Sequence, residues 1–255
     1  MTASAFFERL FKYLFIVSAC VAGISQFYKD DWPEPSYYDI SQLDEPLQAE
    51  TDREPFTIEA NGLAYTVKPK FEYDLQGVVV SYSNADGFTN IWHHKRWWDF
   101  INVRDVCVIW GKNVASGVYK SMRFSSDSWT CWAAWPNQEI GAAFSMYALS
   151  NNHIVTDNDD LKAKLMQAEP GDVIRFTGVL AEYTNHAIGY TRGTSTTRND
   201  TGQGACETVY IDSFDIVKKA NPGLRKLAKT FNWLTLLSFI GFVVFFLIAP
   251  AKPRY

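Results

Sequence analysis

The side chains best suited to chemistry in this 255-residue chain are one cysteine, four histidines and a run of aromatic and basic residues. Cys206 lies in the stretch RGTSTTRNDTGQGACETVYI, residues 192–211, where a polar run gives way to a strand-like one. A nucleophilic thiol needs a base and surroundings that favour the thiolate, such as a helix N-terminus or a nearby imidazole. The residues after Cys206 alternate like a strand, so no helix dipole is expected there. His93, His94, His153 and His186 fall in expected loops or near element ends, and no motif ties one of them to the thiol. Gly202 and Gly204 lead into a strand and lack a following Gly-Lys-Ser/Thr, so they read as loop flexibility rather than a phosphate cradle. Adjacent His93 and His94 cannot point the same way, and there is no CxxC pair, so no metal site and no cofactor is expected. Carboxylate pairs are always available among so many acids and decide nothing. No residue is therefore assigned a catalytic role. An envelope-acting hydrolase using Cys206 or a carboxylate pair is kept as the alternative.

The two ends set the context. Residues 231–249, FNWLTLLSFIGFVVFFLIA, carry no charge, and nineteen helical residues at about 1.5 Å each nearly match a hydrocarbon core of about 30 Å. Residues 13–28 form a second uncharged run. Residues 1–28 are read as a membrane anchor. A cleaved signal, or a lipoprotein signal acylated at Cys20 in Val17-Ser18-Ala19-Cys20, is the competing interpretation.

Charge separates the rest. Residues 30–217 hold 27 of the 28 acids but only 14 of the 24 Lys and Arg, a net charge of −13. The expected layout is an anchor (1–28), an acidic, proline-containing linker (29–54), a β-rich domain (55–217), a basic juxtamembrane segment (218–230), a second membrane helix (231–249) and a tail (250–255). So acidic a domain argues against nucleic-acid binding, which needs a basic footprint. Arg9 and Lys12 before the first apolar run, with Lys252 and Arg254 after the second, favour a domain outside the cytoplasm; the basic residues at 218–229 argue the reverse. The expected location is a bacterial inner membrane with the domain in the periplasm.

Within the domain, Asn61-Gly62 between residues 56–60 and 63–68 is a hairpin signal. Strand-like runs follow at 75–83, 105–111, 128–135, 172–183 and 207–217, with one short helix at 160–168 before Pro170-Gly171. Strand, strand, strand, helix, strand, strand resembles a five-stranded Greek-key oligonucleotide/oligosaccharide-binding (OB) barrel, and a Gly77 inside the first strand suits a sharp bend. A β-sandwich with an inserted helix is the alternative. SNNHIVTDN, GDVIRFTGVLAEY and RGTSTTRNDTGQGACETVYI also resemble an uncharacterised family of bacterial membrane-anchored proteins, which implies an envelope setting and no activity.

The OB resemblance implies a ligand face on strands two and three, between the loops joining strands one to two and four to five. Here those loops are long, residues 84–104 and 184–205. Trp97, Trp98, Lys95 and Arg96 of the first loop, with Arg192 and Arg198 of the second, are the expected binding residues. Aromatics beside arginine suit a protein or glycan partner, and the chain would be a binding or assembly module, or a subunit of a larger membrane complex. Because strand five pairs with strand three in such a barrel, the resemblance also implies a Cys131–Cys206 disulfide, with Cys107 as a buried thiol.

Overall fold

The structure is a computed structural model that describes residues 2–85, 98–200 and 206–248. It divides into two units, Met1–Asp31 with Asn221–Tyr255, and Trp32–Ala220.

The first unit is a pair of helices, α1 (Ala3–Tyr28) and, at the far end of the chain, α5 (Pro222–Ile248). Both are long and apolar enough to cross a membrane. Phe7 and Phe11 stack on Phe245, Phe15 meets Phe239, and the Ser18 and Ser238 hydroxyls lie 3.4 Å apart. The partners run in opposite directions, so the helices are antiparallel. Val17, Ile24, Leu237 and Leu247 remain exposed, whereas a core helix of a soluble protein would cover such residues. α5 begins nine residues before the uncharged run, so residues 222–230 of the basic segment form its first turns. Pro222 starts it, where a missing N–H costs nothing.

The second unit is mainly sheet. Its strands are β1 (Leu47–Glu50), β2 (Phe56–Ala60), β3 (Leu63–Asn84), β4 (Asn102–Ile109), β5 (Arg123–Ser126), β6 (Cys131–Ala134), β7 (Leu149–Val155), β8 (Val173–Asn185), β9 (Tyr190–Arg192) and β10 (Glu207–Lys218). Short helices α2 (Lys112–Ala115), α3 (Gln138–Ala143) and α4 (Asp159–Leu165) interrupt them. Eight strands form one mixed sheet in the order β1-β3-β4-β7-β10-β8-β9, with β2 on β3 and a further pairing of β3 with β8; β5 and β6 form a separate two-stranded sheet. The strand count exceeds the five expected.

Several expectations hold locally. Asn61 and Gly62 adopt φ of 52° and 74° between β2 and β3, the positive values a two-residue hairpin turn requires. At Gly77 a Cβ would meet Val108 Cγ1 at 2.4 Å and the Ile109 carbonyl at 2.8 Å, so only glycine lets β3 pass β4 this closely. The helix expected at 160–168 is present as the shorter α4, Asp159–Leu165, capped by Asn158 through the Asp160 and Leu161 N–H groups.

Other expectations change. The runs at 63–68 and 75–83 are one 22-residue strand, irregular between Pro69 and Phe71 and between Val79 and Ser81. The stretch read as a linker contributes β1 and a fully buried Leu43. The strand between β4 and β10 is β7, not residues 128–135, which supply only the β6 hairpin strand. The disulfide changes with it. Cys131 lies on β6 rather than beside β10, and it bonds Cys107 of β4 with a Cα–Cα distance of 5.8 Å, leaving Cys206 a free thiol. The expected Cys131–Cys206 bridge is thus replaced by Cys107–Cys131, which ties the β5–β6 hairpin to the main sheet. A disulfide of this kind belongs to an oxidising compartment.

Candidate functional site

β4 and β7 run antiparallel with Asp105 opposite His153 and Cys107 opposite Asn151. Asp105 and His153 are both buried, and the carboxylate meets His153 Nδ1 at 2.6 Å. A carboxylate only accepts, so Nδ1 carries the proton and Nε2 presents a lone pair. Asp105 also accepts from Asn102 Nδ2 at 2.9 Å and from the Trp129 backbone N–H at 3.2 Å. Burial pushes the Asp105 carboxyl up, but His153, Asn102 and the nearby Arg192 more than offset it, and the group lies below its ordinary range. Burial holds His153 below its usual value against the pull of Asp105. The pair is therefore a carboxylate beside a neutral imidazole. His153 Nε2, Asn102 Oδ1 and Asn151 Oδ1 are buried acceptors with no hydrogen-bond partner among the described residues.

Trp129 covers this pair. Its ring lies 5.6 Å from the His153 ring, and Asn151 Nδ2 donates to its carbonyl at 3.0 Å. Its φ is 82°, a left-handed value that costs a bulky residue about 1–3 kcal/mol. Bonds to Asp105 and Asn151 hold the backbone there. On the ring sits Arg192 of β9, its guanidinium carbon 4.0 Å from the centroid and its Nε donating to Thr208 Oγ1 at 3.3 Å. β9 is placed by its pairing with β8, Arg192 opposite Tyr183, and the Tyr183 hydroxyl donates to buried Asp99 at 2.7 Å. The result is a succession of guanidinium, indole and imidazole, the two rings tilted by 55°, beside a buried carboxylate.

Cys206 stands at the rim. Asn151 Nδ2 donates to its sulfur at 3.5 Å, and the thiol reaches the Trp129 carbonyl at 3.6 Å. Burial pushes the thiol up, away from the thiolate, and His153 makes no hydrogen bond to it among the described residues. The two lack the contact that would make a nucleophile and base.

No protein-family model, curated protein or solved structure matches this chain. The site is therefore read from its own geometry.

Of the six expected binding residues, Trp97, Lys95 and Arg96 lie outside the described residues. Trp98 is 45% exposed, and its carbonyl accepts from Tyr65 Oη at 2.6 Å and Asn185 Nδ2 at 2.7 Å. Because Asn185 and Tyr183 both belong to β8, Trp98 and Arg192 come to the same end of that strand. Arg198 turns inward instead. It pairs with Glu207, donates to Tyr73 Oη at 3.1 Å, and faces the Trp110 ring. Burial drives the Glu207 carboxyl up to about 7, only partly countered by Arg198. Arg198 is thus a latch holding the polar loop to the sheet, whereas Arg192 faces the stack.

Asp105, Trp129, Asn151 and His153 were missed as site residues. For Asn151 and His153 the signal was weak because SNNHIV is polar on successive positions, whereas Asp105 and Trp129 sit in runs that read only as strands.

Proposed function

We propose that this chain is a membrane-anchored binding or assembly module of the bacterial envelope, its domain in the periplasm, engaging a protein or glycan at the outer side of β4 and β7. The observation that carries this is Arg192 stacked on a strained Trp129 over the buried Asp105–His153 pair. Such an arrangement has costs, in backbone strain and in buried polar groups, that a purely structural surface has no need to meet.

An OB-like barrel is the architecture we favour. In its support, β3, β4, β7, β10 and β8 pair in the sequence first, second, third, fifth and fourth, α4 lies between third and fourth, and β10 runs parallel to β7. In that frame β4 and β7 are strands two and three, the face such barrels use for ligands. The two apolar helices fit an integral anchor, and the disulfide fits a domain outside a reducing cytoplasm. Membership of a larger membrane complex agrees with the same features.

Site-specific photo-crosslinking in intact membranes tests the reading. Gly193 adjoins Arg192, and a side chain there would meet nothing within 4 Å, so a photoreactive residue fits. Lys164 on α4, exposed and paired with Asp215, is the reference position. A discrete adduct is expected from position 193 and none from 164. Absence of any adduct at 193, or equal adducts at both, would contradict the proposal.

A further inference from the structure

Arg192 differs from Arg53, Arg104 and Arg198. Arg53 meets Glu72 and Asp212, Arg198 meets Glu207, and Arg104 donates to the carbonyls of Leu165 and Ala168. Among the described residues, the only hydrogen bond from Arg192 leaves its Nε for Thr208. No carboxylate among the described residues lies in ion-pair contact with it. Asp105, whose charge Arg192 helps stabilise, is already committed to His153, Asn102 and the Trp129 N–H.

The indole beneath supports the guanidinium at 4.0 Å from its centroid, and the Nε bond to Thr208 restricts its rotation. The two terminal amino groups are left as a fork with fixed direction. A guanidinium fork matches two coplanar oxygens of a carboxylate or phosphate, which a lysine ammonium cannot do. In a domain of net charge −13, Arg192 is a half-buried cation whose terminal amino groups make no hydrogen bond among the described residues. Thr208, which takes the Nε bond, donates in turn to the Gly193 carbonyl at 2.9 Å, so the loop beside the fork is also held.

Resting on the binding-module reading, we infer that the terminal amino groups of Arg192, held over Trp129, receive an oxyanion of the ligand, either the carboxylate of an acidic sugar or peptide or a phosphate group. Trp129 positions the fork, and Thr208 sets its rotation. The rest of the ligand lies across the β4–β7 face.

The test uses the full-length protein in detergent with D-glucuronate and inorganic phosphate as separate probes and D-glucose as the uncharged control. Modification of Arg192 by phenylglyoxal, read by mass spectrometry, needs no mutation. Saturable protection is expected from at least one anion at millimolar concentration and none from glucose; the protecting anion identifies the carboxylate or phosphate source. In calorimetry Arg192→Lys should weaken binding of that anion at least about tenfold although the charge is kept. Protection by neither anion, equal protection by glucose, or wild-type affinity in Arg192→Lys would overturn the inference. A position-193 adduct without anion protection would leave the module reading standing and remove the oxyanion; protection without an adduct would do the reverse.

Discussion

Asp105→Ala is expected to destabilise the sheet domain by about 3–5 kcal/mol, the cost of breaking a buried charged network from one side. The carboxylate accepts from His153 Nδ1, Asn102 Nδ2 and the Trp129 N–H, and alanine strands all three donors in a region water does not reach. With Trp129 no longer held, its left-handed backbone should relax and the stack should come apart. Thermal unfolding of the full chain in detergent should show a midpoint lower by roughly 6–20 °C. Asp105→Asn keeps an acceptor oxygen and should cost less than alanine. A change under about 1 kcal/mol in the alanine variant would mean that the pair does not hold this face together.

Glu207 should impose a pH dependence of the opposite sign to that of an ordinary paired carboxylate. Its carboxyl is pushed up to about 7 in the folded chain from a reference value of 4.5. The folded state therefore holds the proton more tightly, and this contribution is fully present below about pH 4.5. It fades as pH rises towards 7, by about 3 kcal/mol in total. The Arg198 contact reduces this effect without abolishing it, because burial is the larger influence. Glu207→Gln mimics the protonated form and should gain stability over wild type by that amount between pH 4.5 and 7. Comparing the two proteins cancels His153, whose burial as a neutral ring makes stability fall as pH drops below its unfolded value near 6.5. Identical pH slopes for both proteins would show that Glu207 is not buried against Arg198.

What the sequence revealed follows from which signals are local. The hairpin at Asn61-Gly62, the short helix after Asn158 and the two uncharged runs are written in contiguous residues, and each matches the structure. β7 is not, because Ser150, Asn151, Asn152 and His153 are buried polar residues, and only their partners on β4, β10 and the Trp129 segment make that burial tolerable. Mistaking residues 128–135 for that strand carried Cys131 to the wrong neighbour. Arg192 and Arg198 look alike in the sequence six residues apart. The difference between a guanidinium on an indole and one latched to Glu207 comes from the return of the loop to β10, which no local pattern encodes.

The binding reading is tested most directly by hydroxyl-radical footprinting, comparing the protein in native membranes with the purified chain in detergent. Trp98 is 45% exposed beside the Arg192 face, while Tyr147 is 64% exposed on the excursion between β4 and β7. Occupancy of the face predicts that Trp98 oxidises several-fold more slowly in native membranes while Tyr147 is unchanged. Equal oxidation of Trp98 in both preparations, or slowing confined to Tyr147, would contradict it.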